Sequence, residues 1–247
     1  MERINIRSVN FDNVNMDEAV DICRGFLKTD KTNVIHTPNS EIVQLCVEDE
    51  NARKIINSAD LIIPDGAGVV KASKVLGRPL EKGKVAGCEL CEHLCRISGE
   101  ENAPIFFLGG KPGIADAAAQ KLKEKYPDMI VAGTNDGYFK DDRAIIEKIN
   151  QSGAKILFVC LGVPKQEQWM NKYRDDFTTV RVAGGFGGTL DVLSGTSKRA
   201  PTFFIKCNLE WFYRLCKEPW RIGRMMKLPK FLLGAYKDKI TKKNYDL

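Results

Sequence analysis

Short apolar runs alternate along the chain with longer stretches in which hydrophobic residues recur every three or four positions. The apolar runs lie at 33–36, 61–63, 105–108, 129–132, 156–161 and 179–183, and helical periodicity is clearest at 113–126 and 142–151. Strands that alternate with helices predict a mostly parallel sheet with helices on both faces. We therefore expect an α/β, Rossmann-like fold, with residues 1–10 adding a strand at one edge of the sheet.

Each predicted strand ends in a polar or glycine-rich segment. These segments lie at 37–39, 64–66, 109–111, 133–137, 162–166 and 184–188. In open α/β sheets, ligands bind beyond the carboxyl ends of the strands, where glycine allows close approach and backbone N–H groups favour phosphate. Glycine and asparagine also suit ordinary turns, so one such segment alone would carry little weight. Six of them on one edge predict a binding site there.

Composition limits the number of domains and the cellular location. The 247 residues, 43% of them hydrophobic, suffice for one sizeable core. No run reaches the roughly 18–20 uncharged apolar residues that a membrane-spanning helix needs. The N-terminal segment has no apolar stretch of the kind found in signal peptides. We therefore expect a cytoplasmic protein.

Positive charge is concentrated at the C-terminal end. Residues 196–247 hold 13 Lys and Arg against 4 Asp and Glu, whereas residues 1–195 hold 25 against 28. Aromatic residues among regularly spaced basic ones are typical of an interfacial membrane helix. We expect an α/β core over 1–195 and a basic, amphipathic, membrane-targeting appendage over 196–247. An appendage packed on its own core, or on a second copy in a homo-oligomer, would use the same residues, and the sequence leaves these alternatives open.

The eight cysteines favour reduced thiols, because they are spread along a chain without a secretion signal. Cys88, Cys91, His93 and Cys95 form a cluster of residue types that bind zinc. However, the cluster lies in a predicted helix, where positions seven apart are separated by about 10 Å along the axis. Ligands of one zinc ion lie within about 2.3 Å of it. We therefore expect a stripe of thiols facing the core, and no metal site.

Two common nucleotide-binding patterns are missing. The glycine-rich segments at 109–111 and 184–188 match neither the P-loop nor the dinucleotide fingerprint, which disfavours an oxidoreductase. The sequence also has no Asp-x-Asp, the spacing by which many sugar-nucleotide enzymes hold a divalent metal. A nucleotide-sugar diphosphate would therefore depend on backbone amides and cationic side chains.

Five motifs resemble the WecG/TagA/CpsF glycosyltransferase family, in order from about residue 10 to residue 224. They are Thr-Pro-Asn-x-Glu at 37–41, Ala-Asp-Leu-Ile-Ile-Pro-Asp-Gly at 59–66, Phe-Leu-Gly-Gly-Lys-Pro at 107–112, Gly-Val-Pro-Lys-Gln-Glu at 162–167, and Arg-Ala-Pro at 199–201 followed by Leu-Glu-Trp-Phe-Tyr-Arg at 209–214. The chain departs from the family at Asn208, where glycine is frequent, and at Lys84, where arginine is common. Lysine lacks the bidentate phosphate contact of arginine.

The resemblance implies an inverting, metal-independent enzyme without cofactors, peripheral on the inner face of the cell membrane. It would transfer N-acetylmannosamine from UDP-ManNAc to undecaprenyl-diphosphate-linked GlcNAc, the committed step of wall teichoic acid linkage-unit synthesis. Its partners would be a UDP-sugar donor, a polyprenyl-diphosphate-sugar acceptor and an anionic membrane surface. It would not bind nucleic acid. Two alternatives stay open: another donor sugar within the family (ManNAcA or glucose), or a nucleic-acid-binding protein that uses the basic tail.

Asp65 is the expected general base, because its carboxylate directly follows a buried strand at the predicted ligand edge. Capping the next helix would suit the same residue. Together with the resemblance, the positions at this edge and in the tail give the expected substrate contacts: Thr37, Asn39, Lys84, Gly109, Gly110, Asp136, Lys165, Gln166, Gly185, Asp191, Arg214, Arg221 and Arg224.

These contacts have different expected roles. Thr37 and Asn39 would bind the sugar, although both also suit turns and helix caps. Lys165 and Gln166 would reach phosphate, although they also suit a solvated first helical turn. Asp136 and Asp191 are the weaker candidates. The three tail arginines would bind a diphosphate when the tail closes over the site.

Overall fold

The computed structural model describes residues 2–197, 201, 203–204, 212–213, 216, 223, 226–242 and 245. The strands are β1 (Arg3–Ile6), β2 (Val9–Asp12), β3 (Asn33–His36), β4 (Leu61–Ile62), β5 (Ile105–Gly109), β6 (Val131–Asn135), β7 (Ile156–Cys160) and β8 (Val182–Gly185). The helices are α1 (Met16–Phe26), α2 (Ser40–Glu48), α3 (Glu50–Asn57), α4 (Ala67–Val75), α5 (Gly87–Glu100), α6 (Ile114–Lys125), α7 (Asp142–Gln151), α8 (Lys165–Tyr173), α9 (Thr189–Leu193) and α10 (Lys227–Thr241).

Six strands form one parallel sheet in the order β4-β3-β8-β7-β5-β6. Each of them corresponds to a predicted apolar run, so the Rossmann-like α/β fold is confirmed. Strands β6 and β8 begin two or three residues later than the runs that predicted them. The reason is that Met129 and Val180 are buried in the core just before strand pairing begins.

Helices cover both faces of the sheet. Residues of α2, α3, α4, α7, α8 and α10 pack in the core on one face, and residues of α1, α5, α6 and α9 pack on the other. The loops after β3 and β7 therefore lead to one face, whereas the loops after the neighbouring strands β8 and β5 lead to the opposite face. Ligand crevices in such sheets open where adjacent loops diverge in this way.

The N-terminal segment does not add a strand to the main sheet, and that prediction was wrong. β1 and β2 pair with each other as a separate antiparallel hairpin. The Asp12 carboxylate accepts a hydrogen bond from the Ile62 N–H at 2.8 Å and another from Arg3 Nε at 2.9 Å. An added strand would need the Ile62 N–H of edge strand β4 as a hydrogen-bond donor, and this group is already bonded to the Asp12 side chain. The hairpin therefore packs beside the sheet.

Helix α10 lies in the predicted appendage and packs against α2 and α4. Its Phe231 and Ala235 are buried in the core. From the hairpin turn, Arg7 Nε donates to Asp238 Oδ2 at 2.7 Å, and Arg7 Nη1 donates to the Phe231 carbonyl at 3.0 Å. This part of the appendage is therefore attached to the core, while the domain boundary at residue 195 stays a prediction. Within the described part of the chain, no helix has the length and apolar content that crossing a bilayer requires.

The predicted cysteine stripe lies on α5. Cys91 and Cys95 are buried and Cys88 is half-buried, so the stripe faces the core as expected. Burial raises the pKa of the Cys95 thiol to about 12 and the pKa of Cys91 well above its usual value, which keeps both thiols protonated. Among the residues that the structure describes, no three His, Cys, Asp or Glu side chains are grouped closely enough to hold a metal ion.

Candidate active site

Hydrogen bonds join the loops at the carboxyl ends of β3 and β4. The Asp65 N–H donates to the Pro38 carbonyl at 3.4 Å, and the Val85 N–H donates to the Pro64 carbonyl at 3.0 Å. Asp65 is half-buried, and Lys84 beside it is exposed. These bonds connect the backbone segments that contain Asp65 and Lys84 to the segment after β3, and the predicted substrate contacts of both residues stay predictions.

The loop after β8 is held by the residue that follows β3 on one side and by β7 on the other. Thr37 Oγ1 donates to the Gly185 carbonyl at 3.0 Å, and the Phe186 N–H donates to the Val159 carbonyl at 3.0 Å. Thr37 is buried, and its hydroxyl proton is used in this contact. We name residues 185–188 the glycine loop. Thr37 thus supports the glycine loop, and its predicted contact with substrate stays a prediction.

The loops after β5, β6 and β7 are also joined. The Gly110 N–H donates to the Cys160 carbonyl at 3.2 Å, and the Gly137 N–H donates to the Gly110 carbonyl at 2.9 Å. Gly109 has a φ of +131°, and a Cβ atom at this position would overlap the Cys160 carbonyl. A side chain would be excluded here, so glycine is required for the two strand ends to approach so closely.

The first turn of α8 buries two polar side chains against the glycine loop. Gln166 is 1% exposed and Glu167 is 3% exposed. Gln166 Oε1 accepts a hydrogen bond from the Gly187 N–H at 3.0 Å, and Gln166 Nε2 donates to Glu167 Oε1 at 2.8 Å. Burial raises the pKa of Glu167 to about 7, although hydrogen bonds from Gln166 and from its own backbone oppose the shift. Glu167 Oε2 is buried without a hydrogen-bond partner among the described residues.

Two other predicted contacts make local backbone hydrogen bonds. Asn39 is exposed and caps α2, where Oδ1 accepts from the Glu41 and Ile42 N–H groups at 2.9 and 3.2 Å. Asp136 Oδ1 accepts from the Tyr138 N–H at 2.8 Å. The turn and cap roles that the sequence allowed for these residues are therefore present, and their substrate contacts stay predictions.

The remaining predicted contacts differ in exposure. Lys165 is exposed, with Nζ 5.4 Å from the centroid of the Phe139 ring. Asp191 is half-buried in the first turn of α9. The cap position of α4 belongs to Gly66, so Asp65 lies one residue before it. The tail residues Asn208, Arg214, Arg221 and Arg224 lie outside the residues that the structure describes.

A histidine next to this edge is unsuited to act as a base. His36 is fully buried at the end of β3, and its Nδ1 lies 3.2 Å from the Ile56 carbonyl on α3. Burial lowers the pKa of His36 to about 4, so the ring is neutral near pH 7. Asp65 is half-buried at the ligand edge and is accessible to a substrate, whereas His36 faces the helical layer.

These loops define an α/β protein whose site combines a carboxylate, exposed lysines and glycine-rich backbone, a set that suits a phosphorylated substrate. The chain belongs to the glycosyl transferase WecG/TagA/CpsF family, whose model matches residues 4–245. The resemblance carried by the five motifs is thus confirmed, and the match includes the basic tail.

Three relatives match 86–99% of this chain. The Bacillus subtilis (strain 168) protein is 33% identical over 99% of this chain and 95% of its own length. The Bacillus spizizenii protein is 39% identical over 86% of this chain and 82% of its own. The Staphylococcus aureus (strain MRSA252) protein is 34% identical over 96% and 93%. Each is named N-acetylglucosaminyldiphosphoundecaprenol N-acetyl-beta-D-mannosaminyltransferase.

Proposed function

We propose that this protein transfers N-acetylmannosamine from UDP-ManNAc to undecaprenyl-diphosphate-linked GlcNAc, with inversion at the anomeric carbon. This transfer is the committed step of wall teichoic acid linkage-unit synthesis. The observation that carries the proposal is the similarity to transferases named for this reaction over 82–95% of their length. The position of Asp65 at the ligand edge, bonded through its backbone to the loop after β3, supports it.

The proposed reaction is a single displacement. The Asp65 carboxylate accepts the proton of the acceptor hydroxyl while the oxygen bonds to the anomeric carbon of the donor sugar. The bond from that carbon to the diphosphate oxygen breaks, and UDP leaves with the bonding electron pair. By analogy with glycoside hydrolysis, positive charge develops on the sugar ring in the transition state. One base and a stabilised leaving group are sufficient for this chemistry.

Negative charge on the departing diphosphate needs donors and cations. Lys84 and Lys165 are exposed at or beside the ligand edge, and the glycine-rich segments supply backbone N–H groups. Arg214, Arg221 and Arg224 of the tail would add cations when the tail closes over the site. These groups together could replace a metal ion in stabilising the leaving group, which agrees with the metal-independent chemistry that the family resemblance implies.

A peripheral position on the inner face of the membrane is part of the proposal. Met226, Leu233, Tyr236 and Ile240 lie on α10 or at its start, on the side opposite its buried residues. Leu233 is 69% exposed and Ile240 is 81% exposed. An exposed apolar stripe in a basic segment suits an anionic lipid surface. The family match also spans this tail, so its charge does not require a nucleic-acid partner.

The test is UDP release from UDP-ManNAc, with and without a short-chain lipid-diphosphate-GlcNAc acceptor, in the presence of EDTA. We expect release to depend on the acceptor and to fall by about 10²–10⁴-fold in Asp65→Asn, since the variant lacks the general base. Asp21→Asn, an exposed change on α1, is the matched control.

Each of the other outcomes has a defined meaning. An Asp65→Asn variant as active as the wild type would assign the base to another residue. Release with UDP-ManNAcA or UDP-glucose but not with UDP-ManNAc would change the donor. Absence of release with every donor would contradict the transferase proposal.

A further inference from the structure

We propose that Glu167 is a positioning residue that fixes the glycine loop through the side-chain amide of Gln166. The inference rests on the proposed function, because Gly185 in this loop is a predicted substrate contact. It adds a role for a residue that the sequence analysis placed in a motif without assigning it one.

The amide of Gln166 has two different ends, an acceptor oxygen and a donor NH₂ group. Its Oε1 accepts from the Gly187 N–H, so the oxygen must face the loop. Its Nε2 donates to Glu167 Oε1, and a carboxyl oxygen in that position favours the NH₂ group over the amide oxygen. If the amide were flipped, its NH₂ group would face the Gly187 N–H, and its oxygen would face Glu167 Oε1. Each pair would then consist of two donors or two acceptors. Glu167 therefore selects the orientation that holds the loop.

The amide also packs directly on the loop. A Cβ atom on Gly185 would lie 3.0 Å from Gln166 Nε2 and 2.9 Å from Met170 Cε, so the backbone of the loop lies close against α8. On the other side, Thr37 Oγ1 donates to the Gly185 carbonyl. The loop is thus held at two points, by Thr37 after β3 and by α8. Loss of the Gln166 contact would leave the Gly187 N–H without its acceptor.

The side of Glu167 away from Gln166 is mostly apolar among the described residues. A small cavity beside it is lined by apolar side chains, including those of Ile42, Ile56 and Val163. Its Oε2 atom is buried without a partner among the described residues. Burying such a group is costly, and a leucine or methionine would fill the space without that cost. The contact with Gln166 offsets part of the cost and accounts for the choice of residue.

Two substitutions separate the hydrogen bond from the volume. Glu167→Gln keeps an acceptor oxygen for Gln166 Nε2, whereas Glu167→Met keeps the volume and removes the acceptor. We expect Glu167→Met to raise the KM for the UDP-sugar donor about tenfold, since one buried hydrogen bond is lost, with a smaller effect on kcat. Amide hydrogen exchange at Gly187 should accelerate in Glu167→Met. Glu167→Gln should stay within about twofold of wild type in both measurements.

A double-mutant cycle tests whether Glu167 acts through Gln166. The double variant Gln166→Met with Glu167→Met should be no worse than Gln166→Met alone, because the same contact is already lost. Additive losses would overturn the proposal, as would wild-type KM and Gly187 exchange in Glu167→Met. A Glu167→Gln variant as impaired as Glu167→Met would also overturn it.

Hydrogen exchange needs no catalytic activity, and it keeps this test separate from the proposed function. If the wild type shows no transfer, the proposed function fails, while protection of Gly187 still decides the positioning role. Should Glu167→Met fail to fold, a comparison of Gly187 exchange in Gln166→Met and Gln166→Glu decides instead. The expected result is faster exchange in Gln166→Met only, because Gln166→Glu retains an acceptor for the Gly187 N–H. Equal exchange in the two variants would overturn the proposal.

Discussion

The buried carboxyl of Glu167 predicts that the folded protein loses stability as the pH rises from about 4.5 to about 7. These limits are the ordinary pKa of a glutamate, 4.5, and the pKa of about 7 to which burial raises this group. Below the lower limit, the carboxyl is protonated in both the folded and the unfolded chain, and no penalty arises. Between the limits, the unfolded chain ionises while the folded chain does not, so unfolding becomes more favourable. Above the upper limit the penalty is complete.

The size of this effect follows from the pKa difference. One pKa unit corresponds to about 1.4 kcal/mol, so a rise from 4.5 to about 7 amounts to about 3 kcal/mol of lost stability. For a protein of this size, a change of 1 kcal/mol shifts the Tm by roughly 2–4 °C. The expected loss is therefore on the order of 6–12 °C in Tm.

Thermal unfolding of wild type and Glu167→Gln, followed by circular dichroism at several pH values from 4 to 8, measures this loss. Glutamine does not ionise, so the stability of the variant relative to wild type should increase by about 3 kcal/mol across this range. Burial of its extra NH₂ group adds an offset that does not depend on pH. Other titrating groups are present in both proteins, and their contributions cancel in the difference.

Glu147→Gln, an exposed change on α7, is the matched control. The same measurement on this variant shows whether a pH-dependent stability difference from wild type is specific to position 167. A Glu167→Gln difference that does not vary with pH would refute the reasoning, because it would mean that the carboxyl has the same pKa in the folded and unfolded chains.

Two further predictions concern the C-terminal helix. Arg7→Ala leaves the buried carboxylate of Asp238 without its 2.7 Å ion-pair partner, so we expect a loss of about 3–5 kcal/mol and easier proteolysis of the tail; an unchanged Tm would contradict this. Combined Leu233→Ser and Ile240→Ser should reduce binding to vesicles of anionic phospholipid by tenfold or more with little change in Tm, whereas Val131→Ser, an exposed apolar site on β6, should not. Vesicle co-sedimentation measures this binding. Equal binding of all variants would mean that the exposed apolar residues of α10 contact another partner, and size-exclusion chromatography would show whether that partner is a second copy of the chain.

The six main strands could be predicted because buried parallel strands leave a strong local signal, an unbroken apolar run followed by a polar turn. The placement of the N-terminal hairpin could not. It depends on contacts between residues far apart in the sequence, such as the hydrogen bonds from the Ile62 N–H to Asp12 and from Asn57 Nδ2 to the Ser8 carbonyl. An apolar pattern shows that a strand is buried on one face, but it does not show which backbone edge is already occupied. A side-chain contact of this kind has no local signature.

The location of the candidate site was predicted from the strand ends, whereas the contacts within it depend on packing. Polar residues in the first turn of a helix are usually solvated. Nothing in the sequence of residues 165–168 indicates that Gln166 and Glu167 are buried. Their burial results from the packing of α8 against α3 and the sheet, which brings together parts of the chain distant in sequence. The same uncertainty applies to Asn39, which suits a helix cap and a substrate contact equally well.

The glycine loop and the tail arginines, the two parts of the proposed site, are held by different contacts. The glycine loop is fixed from within the fold, by Thr37 just after β3 and by Gln166 on α8, and neither contact involves the tail. The tail arginines belong to a segment whose described continuation, α10, is attached to the core through Arg7 and through buried Phe231. If the core alone prepares the glycine loop and the tail arginines supply charge, combined Arg214→Ala, Arg221→Ala and Arg224→Ala should abolish transfer and leave the protection of Gly187 from hydrogen exchange unchanged. Loss of that protection in the triple variant would mean instead that the tail helps to shape the loop.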